Sequence, residues 1–151
     1  MTPIAIPDDV RAAIYAHALA TFPAECCGYL SGPAVPVDLV DTAVRCRNAQ
    51  LDGDHPIAPD RGVDTGFVIA GKDLLQFARS FDSPHPARVV YHSHTQGRAY
   101  FSTIDQQMAA GPTYPVQHVV VGVDDGVVTE AAQFAWSTVV GAYVEIARWQ
   151  P

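Results

Sequence analysis

Residues Ala87 to Tyr91 read A-R-V-V-Y and run directly into His92-Ser93-His94, a β-branched and aromatic stretch ending in two histidines one residue apart. Such a run favours a strand, and the period of two along a strand sends both imidazoles to one face while Ser93 points to the other. Two ring nitrogens then converge on one point, so the fold has to bring a sheet to that point and supply further groups around it. After seven intervening residues come Ser102 and, three further on, Asp105. Two imidazoles and a carboxylate, with a fourth position left to water, form the donor set of a catalytic zinc site and not of a closed structural one.

The stretch from Ser102 to Ala110 reads as a short helix that Gly111-Pro112 ends, with Ser102 in the capping position and Asp105 in the first turn. Taken alone, S-x-x-D is an ordinary helix start and H-x-H an ordinary pair of polar strand residues. Capping and chemistry are compatible, because a cap fixes the carboxylate that a metal would need. Glutamate is scarce: Glu25, Glu130 and Glu145 stand against thirteen aspartates. Glu25 follows a proline-bounded helix end and, without the downstream motif, would read as a solvated strand start.

The run H-S-H-T-Q-G-R-A-Y-F-S-T-I-D resembles the signature of the JAMM or MPN-plus metallopeptidases. That family carries an upstream glutamate in a segment written E-x-C-G-x-L, and this chain reads Glu25-Cys26-Cys27-Gly28-Tyr29-Leu30. The resemblance implies that His92, His94 and Asp105 bind one zinc ion, that Glu25 is the general base, and that Ser102 donates a hydrogen bond to the oxyanion. It implies hydrolysis of an amide bond at the C-terminal tail of a ubiquitin-like or sulfur-carrier protein, as in the compact prokaryotic subgroup. Only Gly111 to Pro115 separate the Ser102 helix from the next strand, which leaves no room for the second long insertion of members that handle ubiquitin chains. One departure is Thr95, where the family has proline after the second histidine. Losing proline's fixed φ is expected to loosen the loop between His94 and Ser102 without removing a ligand.

At 151 residues the chain fits one domain, residues 1–151, long enough to bury a core unaided. A formal charge of −7 with a single lysine argues against a nucleic-acid partner, which needs clustered basic residues. No apolar run approaches the roughly 20 residues that cross a bilayer, and the N-terminus has neither a basic start nor an apolar signal stretch. The expected location is the cytoplasm, with no membrane partner; oligomeric state is not set by the sequence. Three cysteines, two of them adjacent, make a disulfide framework implausible and a reducing compartment the natural one. A thiolate nucleophile at Cys26 or Cys27 would leave the H-x-H spacing without a purpose. A nucleobase deaminase would require H-x-E with P-C-x-x-C, and neither occurs. Two further readings share the same residues: a zinc amidase acting on a small metabolite, and an inactive binding scaffold.

Along the chain, Ile4 to Ile6 suggests a short strand, Pro7-Asp8 opens a helix to about Thr21, and Cys26–Ser31 and Val37–Cys46 suggest a hairpin. Asn48 to Gly62, holding His55, reads as irregular; Gly66 to Ile69 suggests a strand, and Asp73 to Phe81 an amphipathic helix packed on a sheet. His85 sits exposed in a proline-flanked turn. Val116 to Val123 is dense enough for a central strand, with His118 inside it as a core histidine, and Asp124-Asp125-Gly126 turns the chain into Val127 to Trp136. Alternation from Val139 to Trp149 favours a last strand over a helix. Helices interspersed with strands give a three-layer α/β/α domain with a mixed sheet, and the family resemblance makes that fold cytidine-deaminase-like.

Overall fold

The computed structural model describes residues 1–52 and 69–151; His55 and all but the last residue of the strand expected at Gly66 to Ile69 lie outside the described residues. The elements are α1 (Asp8–Thr21), β1 (Cys27–Ser31), β2 (Thr42–Cys46), a 3-10 turn (Ala49–Asp52), α2 (Gly71–Ser80), β3 (Ala87–His94), α3 (Thr103–Ala109), β4 (Gln117–Asp124), β5 (Val127–Ser137) and β6 (Ala142–Trp149). The six strands form one sheet in the order β2-β1-β3-β4-β5-β6. Only β3 and β4 run parallel, as expected for a pair joined by a helical crossover, here α3. The remaining neighbours are antiparallel.

Helices cover both faces. Val10, Ile14 and Ala18 of α1 pack on Leu30, Val89, Tyr91, Val119, Val121 and Val123. On the opposite face Phe77 of α2 packs with Cys27, Tyr29 and Val90, while Ala109 of α3 lies against a cluster of Val120, Ala132 and Phe134. Coverage from both sides explains why β4 is an almost unbroken apolar run, buried from His118 to Val123. The adjacent cysteines obey the strand alternation, Cys26 joining the α1 side and Cys27 the other. All three cysteines are free. Among the described residues no helix is long and apolar enough to cross a membrane.

Three expectations need adjustment. The strand at Ile4 to Ile6 shrinks to a single bridge between Ala5 and Leu39. That bridge draws the Ala5 N–H to the Asp38 carbonyl at 2.7 Å, so β2 begins at Thr42 instead of Val37. In α2 only Phe77 is fully buried, and Leu74 and Leu75 remain 39% and 50% exposed. The ambiguous C-terminal segment is a strand, paired along β5.

Gly28 lies directly across from Tyr91. A Cβ at Gly28 would stand 2.5 Å from the Tyr91 ring, so the missing side chain is what lets that ring cross the strand and bring its hydroxyl within 2.7 Å of His17 Nδ1 on α1. Gly28→Ala should therefore destabilise the fold by about 1–3 kcal/mol through overpacking. Equilibrium urea unfolding measures this, and a loss below about 0.5 kcal/mol, the range of an indifferent surface change, would show that the ring has room to move.

Candidate metal centre

His92 and His94 occupy the C-terminal end of β3, and both are buried there. Asp105 arrives from the first turn of α3, whose N-cap is Ser102. The cap is reciprocal: Ser102 Oγ accepts from the Asp105 N–H at 3.0 Å, and Asp105 Oδ2 accepts from the Ser102 N–H at 2.9 Å. A motif readable as an ordinary helix start thus also fixes the carboxylate that faces the imidazoles. Asp105 Oδ2 lies 3.2 Å from the Nε2 atoms of both histidines, and those two nitrogens lie 3.2 Å from each other.

This triangle fits a divalent metal. Tetrahedral bonds of about 2.0–2.1 Å from zinc to nitrogen or oxygen require ligand atoms roughly 3.3–3.4 Å apart, and each edge here is within about 0.2 Å of that. The tautomer agrees. His94 Nδ1 lies 3.2 Å from the Arg98 carbonyl, which can only accept, so Nδ1 carries the proton and Nε2 turns its lone pair to the centre. Lone pairs crowded at such distances repel unless a cation lies among them. His92, His94 and Asp105 form a buried group able to hold a metal ion.

The protonation states favour ligation at His92 and Asp105, whereas His94 has to give up a proton to bind. Burial lowers the His92 pKa, against a smaller opposing pull from Asp105. Burial would raise the Asp105 pKa, but the two imidazoles outweigh it and hold the carboxyl well below the usual range. At His94 burial is outweighed the other way, by Asp105, by the charge of Glu25 and by the Arg98 carbonyl, so its pKa is raised.

Glu25 is buried, with 5% of its surface exposed. Cys27 pairs with His92 across the antiparallel β1–β3 ladder, and the ladder continues past the formal strand end: the Ser93 N–H donates to the Cys26 carbonyl at 3.1 Å and the Cys26 N–H to Ser93 Oγ at 2.8 Å. Glu25 lies two residues before Cys27, close enough for its charge to raise the His94 pKa. Asn48 Nδ2 secures this segment by donating to the Glu25 carbonyl at 3.0 Å. The cysteines offer no competing nucleophile, since burial pushes Cys26 and Cys46 up to about 12 and Cys27 up as well.

Residues that the sequence did not single out hold the loop between His94 and Ser102. Gly97, at φ +80, lies directly on Gly122, where a Cβ would stand 2.7 Å from the Gly97 carbonyl carbon. The Thr129 hydroxyl donates to the Gly97 carbonyl at 2.5 Å. The Ala99 N–H donates to Glu130 Oε2 at 2.8 Å, and Arg148 donates to the Ala99 carbonyl while pairing with Glu130, both at 2.7 Å. β5 and β6 thus grip the main chain on both sides of Ala99, countering the looseness expected from Thr95. Tyr100 is 47% exposed and lies edge-on to His94, whereas Phe101 packs inward on His118, Phe134 and Tyr143. His118 is buried, and the group able to hold a metal among the described residues does not include it. His85 reaches out to Asp41 at 2.7 Å, on the surface.

Residues 7–138 match the family model described as prokaryotic homologs of the JAB domain. The chain belongs to this JAB-domain family. The match runs from the start of α1 to the end of β5, taking in Glu25 and the three ligand candidates but not Arg148 on β6. A solution structure from Desulfitobacterium hafniense aligns with TM-score 0.64 and 18% identity over 92% of this chain and 86% of that one. One from Salinibacter ruber aligns with TM-score 0.61 and 21% identity over 96% and 90%. A crystal structure described as a JAB1/MPN domain protein, from Archaeoglobus fulgidus, aligns at TM-score 0.48 and 16% identity over 89% of each chain, too distant to argue from. At these identities the first two establish the fold alone. No curated protein matches the chain.

Two outcomes follow for metal binding, both read by competition against a chromophoric chelator with Zn2+ as the probe. Glu130→Ala should weaken affinity about tenfold, the low end for residues that orient ligands; unchanged affinity would mean that the loop holds without the grip. Acidification should also weaken binding, because the metal displaces a proton from His94. With its pKa raised above the ordinary 6.5, the weakening should begin above that pH, and an affinity flat through 6.5 would contradict the assignment of His94.

Proposed function

We propose that the protein is a zinc-dependent peptidase or isopeptidase that hydrolyses an amide bond at the C-terminal tail of a ubiquitin-like or sulfur-carrier protein. The observation that carries this reading is the 3.2 Å triangle of His92, His94 and Asp105, with a buried glutamate, Glu25, whose charge reaches His94. Zinc bound there would lower the pKa of a water from about 15.7 toward about 7 and polarise the carbonyl under attack. Glu25 accepts the proton of the attacking water and passes it to the departing amine. The charge that Glu25 exerts on His94 supports its reach toward the centre.

Ser102 Oγ already accepts from the Asp105 N–H, which orients its lone pairs inward to the helix and leaves its hydroxyl proton to donate to the carbonyl oxygen as negative charge develops. The short link between α3 and β4 suits a small, extended tail, recognised by main-chain pairing along a strand edge. Three buried, unpaired cysteines support a reducing compartment such as the cytoplasm.

Zinc-loaded protein incubated with ubiquitin-like fusions carrying different tails, alongside small amides, and analysed by mass spectrometry should release the tail. Cleavage of small amides alone would overturn the protein substrate, and no cleavage of either, with zinc bound, would overturn the enzyme. Glu25→Gln should retain one zinc per chain and lose turnover by several orders of magnitude, whereas His92→Ala should lose the zinc. Ser102→Ala should lower kcat by about 10²–10³, the usual cost of removing one oxyanion donor; an unaltered kcat would reduce Ser102 to its capping role.

A further inference from the structure

The metal centre stands where β3 ends, and the parallel pairing of Val89 with Gln117 and His94 with Gly122 puts the start of β4 at the opposite end of the sheet. That opposite end carries an apolar feature that the proposed chemistry does not use. There the turn between β5 and β6 presents Val139 at 96% exposure and Val140 at 65%. The turn is held in shape: the Val140 N–H donates to Ser137 Oγ at 3.1 Å, and the Gly141 N–H to the Ser137 carbonyl at 2.8 Å. Two apolar side chains are thus displayed on an ordered tip, which loses little freedom on docking.

Beside the tip, between the segment before α1 and the link from α3 to β4, is an open groove of about 490 Å³. Met1, Ile4, Pro112 and Pro115 are among its walls, with Trp136 and Tyr143, which pair across the hairpin that ends in the tip. Hydrogen bonds fix those walls. Gln117 accepts from the Ile4 N–H and donates to the Thr2 carbonyl, both at 2.9 Å, and Gln133 donates to the Ile4 carbonyl at 3.1 Å. A groove of this volume is in the range that buries a drug-sized molecule, so it has room for two valine side chains.

Neither part carries a charged side chain. Among the described residues lining the groove there is no Asp, Glu, Lys, Arg or His, and the tip from Ser137 to Ala142 reads S-T-V-V-G-A. A formal charge of −7 keeps copies of a chain apart, and their approach is opposed least at an end without charge. A basic partner would find nothing here to pair with. Knob and groove also lie side by side, which suits a two-fold interface, where each subunit offers both complementary parts.

We propose that this end of the sheet is a homodimer face, in which Val139 and Val140 of each copy seat in the groove of the other. The two metal centres then lie at the outer ends of the dimer, away from the interface. The proposal is independent of the chemistry at those centres.

The full-length protein is examined by sedimentation velocity from about 1 µM to about 500 µM, which spans the affinities of small interfaces. The mass should rise from 16.2 kDa toward twice that value, and added salt should strengthen association by screening the repulsion between acidic bodies. Val139→Asp on the tip and Pro112→Asp in the groove should each weaken association at least tenfold, because a carboxylate brought into an apolar contact has no partner. Val127→Asp, at a position 60% exposed at the other end of the sheet, adds the same charge and should leave association unaltered. Unchanged zinc affinity in the tip and groove variants, read by chelator competition, shows that they are folded. A single 16.2 kDa species throughout the range, association weakened by salt, a dimer that survives either the tip or the groove substitution, or an equal loss with Val127→Asp would overturn the face.

Discussion

A slip of β1 by one residue against β3 would break the pairing of Cys27 with His92, through which the segment carrying Glu25 meets the strand end carrying the imidazoles. The register is held because both faces are buried: Leu30 and Cys26 belong to the α1 cluster, Tyr29 and Cys27 to the other, and a slip would exchange the two sets. Gly28 reinforces it, since only a residue without a side chain fits under the Tyr91 ring. The packing of hydrophobic side chains therefore decides where a glutamate stands more than sixty residues before the histidines. The same pairing lets the Ser93 hydroxyl, pointing away from the imidazoles, accept from the Cys26 N–H and extend the ladder past the strand end.

Asp105 serves two structures at once. As the third residue of α3 it closes the capping box, and the same Oδ2 that accepts from Ser102 faces both Nε2 atoms. Burying a carboxylate is costly unless it is paired and hydrogen-bonded. Here a main-chain N–H and two imidazoles meet that demand, and a divalent ion would meet it more fully. Helix capping is a local stabilisation of about 1 kcal/mol, small beside what it secures, which is the orientation of a ligand within a few tenths of an ångström of tetrahedral geometry.

The loop from His94 to Ser102 shows how rigidity can come from neighbours instead of from the chain itself. Proline would have limited the loop's freedom through its own φ. With Thr95 in that place, Thr129, Glu130 and Arg148 take hold of the Gly97 and Ala99 main-chain groups, and the Arg98 carbonyl between them fixes the His94 tautomer. Arg148 comes from β6, beyond the residues that match the family model, so part of the support for the centre lies outside the segment that identifies the family.

By itself the sequence determined what depends on short separations. The period of two places His92 and His94 on one face, and a spacing of three makes Ser102 and Asp105 a cap; both relations are set by strand and helix geometry whatever the rest of the chain does. The central strand was equally legible, because a strand covered on both faces has to be apolar at nearly every position. Tertiary structure decided the rest. Glu25 was marked only by its resemblance to the E-x-C-G-x-L segment, since on its own chemistry it read as a solvated strand start, and its burial follows from the pairing of distant segments. Nothing in their local sequence marked Glu130 and Arg148, which hold the loop only because it folds back between them. Each of these depends on which strands become neighbours and in what register, and that is settled by the burial of both sheet faces together, not by any residue's immediate neighbours.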